Sequence, residues 1–164
     1  MLARTIWEGE TPLEDLSGEQ GPVVATRRGK TSMDIASWSA RMLSVLRIMT
    51  ALLYLQHGLA KLFGFPHVAM FDNLAAFSLV WFAGVIEIVG SLLLLLGLFT
   101  RAAAFIMSGE MAVAYFMVNA PRSFFPILNG GELGVLFCFV FLYLAVAGGG
   151  AWSVDQQRAS SRSR

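Results

Sequence analysis

"RMLSVLRIMTALLYLQHGLAKLF", Arg41 to Phe63, decides the fold. A helix needs about 20 mostly apolar residues to cross the hydrocarbon core of a bilayer, and this run has that length and character, yet Arg47, His57 and Lys61 lie inside it. Stepping by threes and fours around a helix, Arg47, Thr50, Tyr54, His57 and Lys61 share one face. A charged side chain in hydrocarbon costs at least ~2.5–3.5 kcal/mol, so such a seam turns toward other helices and its groups pair there. The stretch therefore predicts a membrane span that belongs to a bundle.

Outward from it, the pattern repeats. The chain has 164 residues, 56% hydrophobic and 14% charged, with a mean hydropathy of +0.64, too apolar for a soluble domain to cover its own surface. Leu79 to Phe99, Ala102 to Asn119 and Glu132 to Ala147 read as three more spans. The predicted fold is all-α, an integral membrane four-helix bundle whose first partner is the lipid bilayer. A disordered cytoplasmic tail is expected over residues 1–38, the transmembrane domain over 39–152 and a C-terminal tail over 153–164. Met1 to Ser37 has no apolar core of the kind a cleavable signal needs, and Met33 is an alternative start that the sequence leaves open.

Basic residues set orientation. Arg27, Arg28, Lys30 and Arg41 precede the first span, Arg101 follows the second, and Arg158, Arg162 and Arg164 follow the fourth, which predicts both termini on the cytoplasmic side. "FGFPH" stops the first helix, "GLFTRAA" makes a tight turn, and "NAPRSFFPILNGGE" forms a longer outer connection. The segment from Phe65 to Val80 reads as a short interfacial helix.

A net charge of +1 and scattered basic residues give no nucleic-acid surface. The single cysteine, Cys138, excludes an internal disulfide and every C-x-x-C pattern. His57 alone lies within a span, since His67 follows Pro66, so a haem between two histidines and a resident metal are not expected. No nucleotide, phosphate or zinc-protease motif occurs. With no intrinsic cofactor, any redox role needs a partner protein or a lipid-soluble carrier such as a quinone.

The candidate site residues are the polar groups in and at the mouths of the spans: Arg47, His57, Lys61, Glu87, Glu110, Asn129 and Glu132. "GVIEIVG" sets Gly84 and Gly90 on the same side as Glu87, where small residues admit a neighbouring backbone. Counted from the expected cytoplasmic ends, Arg47 lies at ~9 Å, Glu110 at ~12 Å, Glu87 at ~16 Å and His57 at ~24 Å. Two clusters follow: an inner one of Arg47 with Glu110 and Glu87, and an outer one in which His57 and Lys61 meet Glu132 and the "NGGE" turn. Both admit a plain packing role beside a functional one.

Three stretches carry a resemblance: "RIMTALLYLQHGLAKLFGF" (Arg47 to Phe65), "GVIEIVGSLLLLLGLFTRAAA" (Gly84 to Ala104) and the run from Gly109 to Asp155 with its F-P-x-x-N-G-G-E turn. In these the sequence resembles the DoxX family of small four-span bacterial membrane proteins. Asn119 departs from the histidine expected before the Ala-Pro of the outer loop. The resemblance implies a multi-pass protein of the bacterial inner (plasma) membrane. It also implies association with membrane oxidoreductase systems, as in the similar subunit of thiosulfate:quinone oxidoreductase. On this basis the expected function is a subunit that binds a quinone or similar amphipathic redox molecule and takes electrons from a soluble partner. A non-enzymatic proton-linked or small-solute transporter, a lipid-binding protein and a recruiting scaffold remain the alternatives, and the sequence does not set the oligomeric state.

Overall fold

The computed structural model describes residues 28–162. Among them every element is helical: α1 (Arg28–Phe63), a one-turn 3-10 helix (Ala69–Phe71), α2 (Leu79–Leu96), α3 (Thr100–Ala114) running on into a π-helical turn (Tyr115–Asn119), α4 (Pro126–Asn129), α5 (Glu132–Ala147) and α6 (Val154–Arg162). Ile35–Phe63, Leu79–Leu96 and Thr100–Asn119 are long and apolar enough to cross a membrane. The expected fourth span, α5, has the expected limits, but its 16 residues rise only ~24 Å, short of a hydrocarbon core of ~30 Å.

Two boundaries differ from the sequence reading. α1 begins at Arg28, so residues 28–38 are helical where a tail was expected; after Gly29 no glycine or proline interrupts the chain until Gly58, and nothing stops the helix at the apolar margin. The rest of the expected tail, residues 1–27, lies outside the described residues. Between Phe65 and Val80 the helical part shrinks to Ala69–Phe71.

α1 packs chiefly on α2, and α3 on α5; α2 meets α3 with Gly90 against Met107, while the backbones of α1 and α5 stay farther apart and meet through Tyr54, Phe137 and Phe141. Close approach of α1 and α2 comes from absent side chains. A Cβ on Gly58 would stand 2.7 Å from Ile88 Cγ1 and 2.9 Å from the Gly84 carbonyl oxygen, so the two backbones come together as small residues allow in lipid. At the end of α2, Gly97 takes φ 68° and its N–H caps the Leu93 and Leu94 carbonyls, a left-handed conformation that glycine adopts without penalty. α3 and α5 are joined where Ser108 Oγ donates to the Cys138 carbonyl at 2.9 Å. Ala51, Tyr54, Leu94, Ala104, Met107, Phe137, Phe141 and Leu144 form the core between the helices.

Candidate functional site

In the middle of the bundle two polar contacts lie side by side in the core. Lys61 Nζ pairs with Glu87 Oε1 at 2.5 Å, across the contact that Gly58 and Gly84 make tight. The Tyr54 hydroxyl donates to Glu110 Oε2 at 2.9 Å, joining α1 to α3. Tyr54 and Glu87 are each 1% exposed, so neither contact is solvated from the membrane side.

Each carboxylate uses one oxygen in this way. Glu87 Oε2 and Glu110 Oε1 have no hydrogen-bond partner among the described residues, and neither has the Ser91 hydroxyl, one turn along α2 from Glu87. Buried polar atoms of this kind are rare in folded proteins and call for an explanation. Aromatic rings bound the cluster: Tyr54 packs edge-on against Phe137 and Phe141 of α5, with centroids 5.2 and 4.8 Å apart. The half-buried His57 ring lies 5.9 Å from Tyr54 and 6.1 Å from Phe137, between α1 and α5. Beyond Lys61, Phe71 from the 64–78 connection places its ring 5.8 Å from the ammonium. The arrangement offers hydrogen-bond donors from Lys61 and Tyr54, free acceptors from both glutamates, and an aromatic wall.

Arg47 is elsewhere. Among the described residues no ion pair joins it to Glu87 or Glu110; it is fully buried and donates through Nη2 to the Trp152 carbonyl at 3.0 Å. Its Nη1 lies directly over Gly97, in the space a Cβ would take. That contact shows why the expected inner cluster does not form. Counting from the apolar margins sets Arg47 near the glutamates, whereas the α1–α2 register sets Arg47 level with Gly97, the residue after α2, and Lys61 level with Gly84. Relative to that count, α1 is displaced along α2 by roughly one and a half turns, so the lysine takes the glutamate assigned to the arginine.

The expected outer cluster also dissolves. Glu132 is exposed at the start of α5, and no ion pair to His57 or Lys61 is present among the described residues. Asn129 is buried and fully engaged: its Nδ2 donates to the Ser123 carbonyl at 2.8 Å and to the Tyr115 hydroxyl at 3.3 Å, and its Oδ1 accepts from Gly131 N–H at 2.7 Å. Asn119 Nδ2 donates to the Asn129 carbonyl at 3.0 Å. These bonds fold the outer connection onto the end of α3, which is a structural task.

The DoxX family model matches residues 42–120. A relative from Haemophilus influenzae, described as an uncharacterized protein, is 48% identical over 120 residues, covering 70% of this chain and 89% of the relative. The chain belongs to the DoxX family. No solved structure matches it. The matched segment holds Tyr54, His57, Lys61, Glu87 and Glu110 of this DoxX protein, whereas the aromatic wall from α5 lies beyond it.

Three groups outside the predicted set matter at the centre and at the end that carries the termini. Tyr54 lies on the predicted polar face, but nothing in the sequence pairs its hydroxyl with a carboxylate. Ser91 was hidden in a leucine run, its only signal being the four-residue spacing from Glu87. Asp155, placed by the sequence in the C-terminal tail, accepts from Phe99 N–H at 3.0 Å and Thr100 N–H at 2.8 Å at the start of α3. Burial pushes its carboxyl up, but hydrogen bonds from Thr100 and Phe99, with Arg158 nearby, outweigh that and hold it below the ordinary carboxylate range.

Proposed function

We propose that this DoxX protein is the membrane subunit of an oxidoreductase system and that its centre holds the polar head of a quinone or similar amphipathic redox molecule. The observation that carries the reading is the pair of buried carboxylate oxygens, Glu87 Oε2 and Glu110 Oε1, left without a partner beside Lys61 and Tyr54. These residues fit such a head group: an ammonium suits a ring carbonyl, and a free carboxylate oxygen suits a ring hydroxyl. When bound, the group supplies two-electron, two-proton redox chemistry, with the electrons delivered by a soluble partner protein. Tyr54 and Glu110 hold a proton between them, Lys61 and Glu87 fix the charge balance, and the rings of Phe137 and Phe141 exclude water. The protein sits in the bacterial inner membrane with both termini in the cytoplasm, a reading supported by Arg41, Arg101, Arg158 and Arg162 at one end.

Extraction of the protein in nanodiscs of its native lipids, followed by analysis of its small molecules and associated proteins, tests this. Retained quinone that is lost in Glu110→Gln supports the reading. Finding neither quinone nor a redox-active partner contradicts it.

A second reading, proton-linked transport, draws on the same row of titratable groups, since Lys61, Glu87, Glu110 and Tyr54 run from α1 through α2 to α3. Proton flux in liposomes that disappears in Glu87→Gln favours it, and absence of flux removes it.

A further inference from the structure

At the end of the bundle that carries the termini, a cleft of about 690 Å³ opens between the start of α1's apolar stretch, the first turn of α3 and the Gly148–Gly150 segment after α5. It stands apart from the Lys61–Glu87 centre. Ala40, Leu43, Ala102 and Ala147 give it an apolar floor, while Arg101 and Ser153 stand at its polar side. We propose that this cleft binds an anionic phospholipid, with the head-group phosphate at Arg101 and an acyl chain along the apolar floor.

Charge favours an anion there. Arg101 is exposed, makes no ion pair among the described residues, and lies along Gly148, 3.6 Å from where a Cβ would stand. The carboxylate in the cleft wall, Asp155, is already committed to the Phe99 and Thr100 N–H groups. Behind that wall sits Arg47, 0% exposed, its Nη1 crowding the same space over Gly97 as the Ser153 Cβ. Arg47 Nε and Nη1 have no hydrogen-bond partner among the described residues. A guanidinium so enclosed, with no ion pair among the described residues, is undercompensated by the protein alone, and an added anion nearby offsets the deficit. Guanidinium groups match phosphate in geometry as well as charge.

A lipid suits the cleft better than a free anion. The volume accommodates a head group with the first part of a chain. The floor joins Leu43 of α1 to Ala147 of α5, two helices whose backbones stay apart, so a chain entering there stays continuous with the lipid-facing surface. The polar side lies past the ends of α2 and α5, at the depth of a head-group layer.

The test is native mass spectrometry of the full-length protein released from nanodiscs that contain phosphatidylglycerol and phosphatidylcholine in equal amounts. Wild type is expected to retain phosphatidylglycerol over phosphatidylcholine by about fivefold or more, and Arg101→Gln to bring the ratio close to parity. Arg101→Lys should keep most of the preference, and Arg122→Gln, exposed at the opposite end, should leave it intact. Arg101 makes no hydrogen bond or ion pair among the described residues, and an unchanged melting temperature of Arg101→Gln in detergent checks that folding does not need it. Equal retention of both lipids by wild type, or an undiminished preference in Arg101→Gln, overturns the proposal. If inorganic phosphate alone raises the melting temperature as much as phosphatidylglycerol does, the ligand is a free anion and the lipid assignment falls.

Discussion

Lys61 and Glu87 meet in an ion pair beside the glycine contact between α1 and α2. The lysine side chain is 13% exposed and the glutamate 1%, so the pair is enclosed by protein, and each charge depends on the other. Lys61→Met alone is expected to cost ~3–5 kcal/mol by stranding the carboxylate. The double replacement Lys61→Met with Glu87→Met should recover most of that. Reversible unfolding in mixed micelles measures both, and a stable single variant would show that the pair does not hold the two helices.

The glycines of the bundle fall into two kinds. Gly58→Ala places a methyl within 2.9 Å of the Gly84 carbonyl oxygen, and backbone cannot yield as a side chain can. A loss of ~1–3 kcal/mol is expected. At Gly134, inside α5, a Cβ meets nothing within 4 Å, so Gly134→Ala should gain up to ~1 kcal/mol from helix propensity. Thermal unfolding of the two variants should move in opposite directions, and equal shifts would contradict the α1–α2 contact.

Tyr54→Phe removes the hydroxyl that donates to Glu110 Oε2 and leaves Glu110, whose Oε1 already lacks a partner, with no donor among the described residues. The expected loss is ~1–3 kcal/mol. Adding Glu110→Leu to Tyr54→Phe should restore part of it. Additive losses in that cycle would mean that the two side chains do not interact.

Asp155 ties the C-terminal segment to the start of α3. Because its folded carboxyl lies below the ordinary range, its contribution is present above the unfolded carboxylate value and is lost as pH falls through the folded value. At neutral pH Asp155→Asn should cost ~0.5–2 kcal/mol, the range for a lost helix cap. The gap between wild type and variant should close in acid. A gap that is constant with pH would refute the role of the charge.

The polar face of α1 was legible in the sequence because helical spacing is local: Arg47, Thr50 and Tyr54 are all buried where the stepping put them. Which group meets which was not, because partner choice depends on how far one helix slides along another. That slide is set by where Gly58 and Gly84 permit contact, and by Gly97 admitting Arg47, and apolar run lengths do not encode it. α5 was visible as an apolar run, but its wall of Phe137 and Phe141 reads as ordinary core until Tyr54 is placed against it. Asp155 was missed for a related reason: it caps a helix that begins 55 residues earlier, and no local pattern joins the two.

The central claim is that the buried centre receives a ligand's polar head from the lipid. Photolabelling in nanodiscs with a photoreactive quinone analogue, mapped by peptide mass spectrometry, addresses it directly. Labelling is expected on the α1 peptide around Tyr54 and His57 and on the α5 peptide around Phe137, suppressed by excess unlabelled quinone and weakened in Glu110→Gln. Labelling confined to lipid-facing positions such as Leu52 and Leu53, or labelling that excess quinone fails to suppress, would contradict it.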